Sequence, residues 1–197
     1  MRNRQRFLRL LLSAIMLSAI MVLSMLTSAQ QQPPAEVTGS ESSASPEMNR
    51  LAKALAGDWS TVETMERTEF FPNGGGRRGV AHASLGTGGT TLIWEGRSDG
   101  SAGKLSYLIT IWWDKGARLY RFFTCFNGYE HPCEVRGTAH WEGDLFVNDY
   151  EEMVHGERKK FRDTFSQITP ASYTLTEAID AGNGTMNALI TTRSSRR

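Results

Sequence analysis

The sequence predicts an all-β domain: an antiparallel up-and-down barrel of about ten strands with a short N-terminal helix plugging one end. Three observations carry this. After Gly57 the pattern has period two and continues to the C-terminus. Asn73-Gly74-Gly75-Gly76, Gly86-Thr87-Gly88-Gly89, Asp114-Lys115-Gly116, Gly143-Asp144 and Gly182-Asn183-Gly184 each separate two strand-like segments, and Gly and Asn supply the positive φ that tight hairpins need. A meander of that many strands leaves two exposed edges unless it closes. A two-sheet sandwich has similar strand spacing and stays open as the alternative.

The elements follow in order. Arg2, Arg4, Arg6 and Arg9 form a positive segment ahead of the apolar run Leu10 to Leu26, and Thr27-Ser28-Ala29 supplies small residues for cleavage after Ala29. Residues 1–29 are therefore expected to be a secretion signal, which places the protein in the periplasm or outside the cell. The rival is an uncleaved anchor, the one route by which this chain would meet a membrane. The run is 17 residues long with three serines, short of the roughly 20 apolar residues of a spanning helix. Residues 30–45 are polar and lack the apolar side chains that would offset ordering entropy, so a disordered linker is expected.

The chain carries 22 basic and 21 acidic residues. Without the four signal arginines, 18 basic residues face 21 acidic ones, a net charge of −3. That balance gives no electrostatic footprint for nucleic acid. The remainder, 46–197, is long enough for one domain with a real core.

Ser45-Pro46 reads as a helix start, a capping hydroxyl followed by proline at the first helical position. Met48, Leu51, Ala52 and Leu55 recur at helical spacing, and Gly57 ends the pattern. The strands are expected at 58–70, 77–85, 90–96, 104–113, 117–126, 134–142, 145–155, 158–168, 172–180 and 185–193. Alternation suggests what points inward. Asp163 shares a face with Phe161 and Phe165, and Glu177 with Tyr173, Leu175 and Ile179. Arg78 and Arg121 share parity with Val80 and Phe123. Segment 104–113 is apolar on both faces: Leu105, Tyr107, Ile109, Ile111 and Trp113 alternate with a second set that includes Leu108 and Trp112. It is expected to pack on the helix or the linker, or to expose aromatic surface to a partner.

Cys125 and Cys133 are the only cysteines and flank a short loop, so in an oxidising compartment they read as a disulfide. A zinc site using Cys125, His131 and Cys133 lacks the usual spacing and a fourth ligand. Asp163 and Glu177 are carboxylates on apolar faces of neighbouring strands. Burial would raise their pKa, and such a pair can divide acid and base roles or simply join an interior ion-pair network. Asp149, Glu151 and Glu152 read as an exposed acidic edge rather than a metal site. No nucleophile elbow, zinc-protease motif, phosphate loop or dinucleotide fingerprint is present.

Leu55-Ala56-Gly57-Asp58-Trp59 resembles the Gly-x-Trp opening of calycin-type barrels. Together with Phe71-Pro72-Asn73-Gly74-Gly75, Ile111-Trp112-Trp113-Asp114 and the block Arg162 to Pro170, it resembles the DUF1579 family of uncharacterised, often exported bacterial proteins. The resemblance implies a calycin-like barrel and brings no settled activity. In lipocalins a basic residue of the last strand covers the opening Trp; by that analogy Arg193 would cover Trp59. Nitrobindins, a related calycin group, hold haem, but His82, His131, His140 and His155 match no haem-ligating motif, and no cofactor or metal is expected.

The leading functional expectation is an exported barrel that binds a small, largely apolar ligand in its interior, with His82, Tyr107, Arg121, Asp163 and Glu177 as candidate ligand-binding residues. Two alternatives stand beside it. One is a small barrel enzyme with Asp163 or Glu177 as acid or base. The other is a filled barrel acting as an interaction scaffold through aromatics such as Trp112.

Overall fold

The computed structural model describes residues 44–127 and 132–197. The expected signal, nearly all of the linker, and His131 lie outside the described residues. The helix α1 spans Pro46–Leu55, starting where Ser45 Oγ accepts from the Met48 amide at 3.1 Å. Pro46 sits at the first helical position, where no amide donor is needed. Met48, Leu51 and Leu55 form one stripe and are fully buried.

Ten strands follow among the described residues: β1 (Gly57–Met65), β2 (Gly75–Leu85), β3 (Thr91–Gly100), β4 (Leu105–Asp114), β5 (Leu119–Phe126), β6 (Val135–Glu142), β7 (Leu145–Val154), β8 (Glu157–Ser166), β9 (Ser172–Asp180) and β10 (Met186–Arg196). Each pairs antiparallel with its neighbours in sequence, and β1 pairs with β10. The sheet is a closed barrel, as expected from the cost of leaving two edges of a meander unpaired. The sandwich alternative is excluded by that closure.

Three boundaries differ from the sequence expectation by three residues or more. β1 stops at Met65 instead of residue 70. The chain from Glu66 to Gly74 leaves the sheet in a turn where Phe71 O accepts from the Thr68 and Gly74 amides. Phe70 and Phe71 then fold onto Phe161, Ile179 and Leu189. β3 runs on to Gly100, and β10 runs three residues past its expected end, to Arg196.

Burial splits the core in two. The larger cluster joins Met48, Leu51 and Leu55 of α1 to Trp59, Leu92, Trp94, Ile111, Tyr120, Phe146, Phe165 and Tyr173 of the barrel. Tyr120 donates to Glu47 O at 2.8 Å, and Arg50 donates to Gly143 O at 2.8 Å, fixing the helix against the strands. The smaller cluster is Phe161, Ile179 and Leu189 beneath Phe70 and Phe71.

Trp59 lies at the helix end. Its indole N–H donates to Leu55 O at 2.9 Å, and its ring meets Tyr173 edge-on at 4.8 Å. The guanidinium above it belongs to Arg196, 4.4 Å from the ring centroid, and not to Arg193. Arg196 is opposite Trp59 in the ladder, whereas Arg193 is opposite Val62 on the outer face and is exposed. The longer β10 is the reason: only its added residues reach the helix end. Arg196 also donates to Ala56 O and Pro170 O. Gly57, with φ of +141°, leaves the room its side chain needs, since a Cβ there would collide with the guanidinium.

Candidate interior binding site

Along each strand alternate residues enter the barrel. β1 turns Trp59, Thr61, Glu63 and Met65 inward, all buried. In the ladder these stand beside Ala81, Gly79, Arg77 and Gly75 of β2. The inward arginine of β2 is therefore Arg77, while Arg78 is exposed with Val62. Arg77 Nε meets Glu63 Oε2 at 2.7 Å, with the two side chains only 9% and 7% exposed, so this is an interior ion pair.

On the far wall β7, β8 and β9 place Asn148, Asp163 and Glu177 side by side in one row. The Tyr150 hydroxyl donates to Asp163 Oδ1 at 3.3 Å. Burial pushes Asp163 up to about 7, the hydrogen bonds from Asn148 and Tyr150 working against it. Burial, reinforced by the charge of Asp163 beside it, pushes Glu177 up to about 8, with Arg77 opposing. The two carboxyls titrate as one system, and their shared tendency is to keep a proton at neutral pH. Glu152 also enters the barrel, and burial raises it too. The expected acidic edge thus divides: Asp149 and Glu151 point outward onto Arg162 and Arg158, while Glu152 points in.

Tyr107 enters from β4, its phenol raised by burial. Its ring lies over Gly96, where any Cβ would strike it. Phe122, Tyr150 and Phe161 form an aromatic run beside the carboxylates. Phe122 meets Tyr150 edge-on at 5.9 Å, and Tyr150 stacks on Phe161 at 5.3 Å.

Two features show that this layer is not packed like the helix end. Tyr107, Ile109, Tyr150, Asp163, Leu175, Glu177 and Thr192 all point into a closed wall, yet each keeps accessible surface and is only half-buried. Trp59, Phe146, Phe165 and Tyr173 of the helix-end cluster keep almost none. Second, among the described residues Ser98 Oγ and Asn148 Oδ1 are buried without a protein hydrogen-bond partner. Both residues share the inward parity of their strands. Buried polar atoms are nearly always paired, so two facing one interior mark a layer that something polar completes.

The structure brings together Tyr107, Asp163 and Glu177 of the residues singled out in the sequence. It separates His82 and Arg121 from them. His82 lies on the outer face, its Nδ1 at 2.9 Å from Asp58 Oδ1, with both side chains more than half exposed. Arg121 also faces out and meets Asp114 Oδ2 at 2.6 Å. That contact, with the Ala117 amide donating to Asp114 Oδ1, holds the turn after Trp112-Trp113-Asp114 and lowers the Asp114 pKa. Glu63, Arg77 and Asn148 join the interior and were not singled out, and Glu152 joins it from the expected acidic edge. For Glu63 the signal was present, since it shares parity with Trp59. Cys125 and Cys133 form a disulfide, which accords with an oxidising compartment. No grouping of metal-ligating side chains suited to a metal ion occurs among the described residues.

No protein-family model matches the chain, and no curated protein matches it. The resemblance to DUF1579 therefore rests on its four motifs alone. Among solved structures, the chain is similar to the crystal structure of Rv2717c from M. tuberculosis, at 10% sequence identity and a TM-score of 0.54, over 78% of this chain and 99% of that one. It is also similar to the structure of EF1p2_mFAP2b bound to DFHBI, at 15% identity and a TM-score of 0.40, over 76% of this chain and 99% of that one. At such identities the first likeness is one of fold, and the fold is a closed ten-stranded antiparallel β-barrel.

Proposed function

We propose that this protein is an exported small-molecule-binding barrel whose ligand sits in the polar middle layer, between the helix-end aromatics and the Phe70–Phe71 loop. One observation carries the reading: the middle layer keeps accessible surface and unpartnered polar atoms inside a closed wall. A small-molecule site is mostly apolar with a few convergent polar groups. Ile109, Leu175, Phe122 and Phe161 supply the first, and Asn148, Asp163, Glu177 and Tyr107 the second. The largely apolar ligand expected from the sequence is here narrowed to one with an apolar body and a polar head. Export is supported by the signal-like residues 1–29 and by the disulfide. The motif resemblance to DUF1579, a family often exported, points the same way.

A second reading has its own observation. Asp163 and Glu177 lean toward sharing a proton at neutral pH, as an acid–base pair would. In that case the site turns its ligand over, and Asp163→Asn would abolish turnover while leaving binding.

Native mass spectrometry of the protein purified from its own source tests the first reading. A bound species that leaves on denaturation is expected, and its loss should follow interior substitutions such as Leu175→Trp. A protein that carries only water and binds no small probe in its interior would contradict it.

A further inference from the structure

Resting on the reading of the interior as a ligand site, we infer that the ligand is a small organic cation: an ammonium head on a short apolar body. The charge count of the interior argues this first. Glu63, Glu152, Asp163 and Glu177 enter the barrel from β1, β7, β8 and β9. Only Arg77 answers them in depth, and it is already paired with Glu63. Lys159 shares the inward parity but lies nearer the far end, paired with Glu157. With Glu63 and Arg77 neutralising each other and Asp163 and Glu177 sharing one proton, the interior still keeps an excess of carboxylate, which draws a cation and repels an anion.

The kind of hydrogen-bonding atom argues it second. In the row Asn148–Asp163–Glu177 the free capacity is acceptor capacity. Asn148 is 4% exposed, and its Oδ1 has no partner. Even with one proton shared between the two carboxyls, acceptors outnumber donors in this row, and the surplus takes N–H or O–H donors from whatever occupies the layer. The other groups around the row are Glu63, Arg77 and Tyr107 from other strands and Tyr150 and Glu152 from β7 itself. Of these only Arg77 carries a positive charge, and Glu63 takes it.

The surroundings of the row suit an organic cation better than a metal ion. The carboxylates stand beside the rings of Phe122, Tyr150 and Phe161. Ring faces attract ammonium groups and cover a short alkyl chain, whereas a hard metal ion requires six or more converging oxygens. Among the described residues no such grouping exists.

The test uses butylammonium, butanol and butyrate as isosteric probes of one shape and three charges. Each is titrated into the protein at pH 6 and pH 8.5, and backbone amide shifts on β7, β8 and β9 are followed. Butylammonium is expected to bind at least tenfold more tightly than butanol, with butyrate weaker still. Its affinity should rise at least threefold from pH 6 to pH 8.5 as the carboxylates ionise. Asp163→Asn and Glu177→Gln, near-isosteric changes checked for folding by circular dichroism, should each erase that preference. Equal binding of butanol and butylammonium would overturn the cation while leaving an interior ligand site. Failure of all three probes to shift interior amides would overturn the site itself. Should either variant fail to fold, the charge series on the unsubstituted protein still decides.

Discussion

The two halves of the barrel interior are built on opposite rules. At the helix end Trp59, Trp94, Tyr120, Phe146, Phe165 and Tyr173 interlock with α1 and leave almost no accessible surface. The hydrogen-bonding groups of Trp59, Tyr120 and Arg196 there have named backbone partners. In the middle layer, Asp163, Glu177, Tyr107 and Tyr150 retain accessible surface, and Asn148 and Ser98 carry unpartnered oxygens. Dense apolar packing supplies stability, and buried polar groups without partners subtract from it. A chain that keeps the second kind beside the first is using one half of its core to hold the other half open.

The comparison is tested most severely at the helix end. Trp59→Ala removes a fully buried ring with an edge contact to Tyr173 and a backbone hydrogen bond. It should cost about 3–5 kcal/mol in urea denaturation. A loss below about 1 kcal/mol would mean that this end is no better packed than the middle.

Next in size is the disulfide. Cys125 and Cys133 are eight residues apart in sequence and tie the β5–β6 connection, on the side of the barrel away from α1. Replacing both by Ser should lower stability by about 2–3 kcal/mol through loop entropy in the unfolded chain. The interior carboxyls should not respond, and their titration is the check.

The carboxylate pair itself is predicted to destabilise the fold as pH rises. Its folded pKa values lie above those of the unfolded chain, so the folded state holds more protons than the unfolded state between about pH 4 and pH 8. Stability from this source is complete below pH 4 and is lost as pH climbs through 7 to 8. The double variant Asp163→Asn, Glu177→Gln should flatten thermal stability over that range. At pH 8.5 it should exceed the unsubstituted protein by on the order of 1–2 kcal/mol.

The smallest effect separates two arginines of one strand. Arg196→Ala loses a ring contact and two hydrogen bonds to carbonyls and should cost about 1–2 kcal/mol. Arg193→Ala, on the outer face, should stay within about 0.5 kcal/mol. Equal costs would erase the distinction between a sealed end and an ordinary strand surface.

Much of this was legible in the sequence, for identifiable reasons. Glycine and asparagine clusters mark most hairpins, so strand number and closure could be read without coordinates. The strand ends were less legible. Residues 66–71 continue a strand-like composition although the chain leaves the sheet, because Phe70 and Phe71 find a core position from a loop. Asp163 and Glu177 were readable because aromatic neighbours fix their parity. On β2 the apolar signal misleads: the interior positions are Gly79, Ala81 and Ala83, while the larger Val80 lies outside. Small residues are used there because large rings fill the space opposite, and the rule that bulky means buried then selects Arg78 over Arg77. β5 is aromatic on both faces, with Phe122 inside and Phe123 outside. Its parity could not place Arg121.

The most direct measurement is a carboxyl NMR titration of Asp163 and Glu177, alone and with butylammonium present. The pair is expected to titrate around pH 7 to 8 when alone, and the cation to lower both midpoints by holding the ionised form. Midpoints near pH 4, or midpoints that the cation leaves in place, would contradict it.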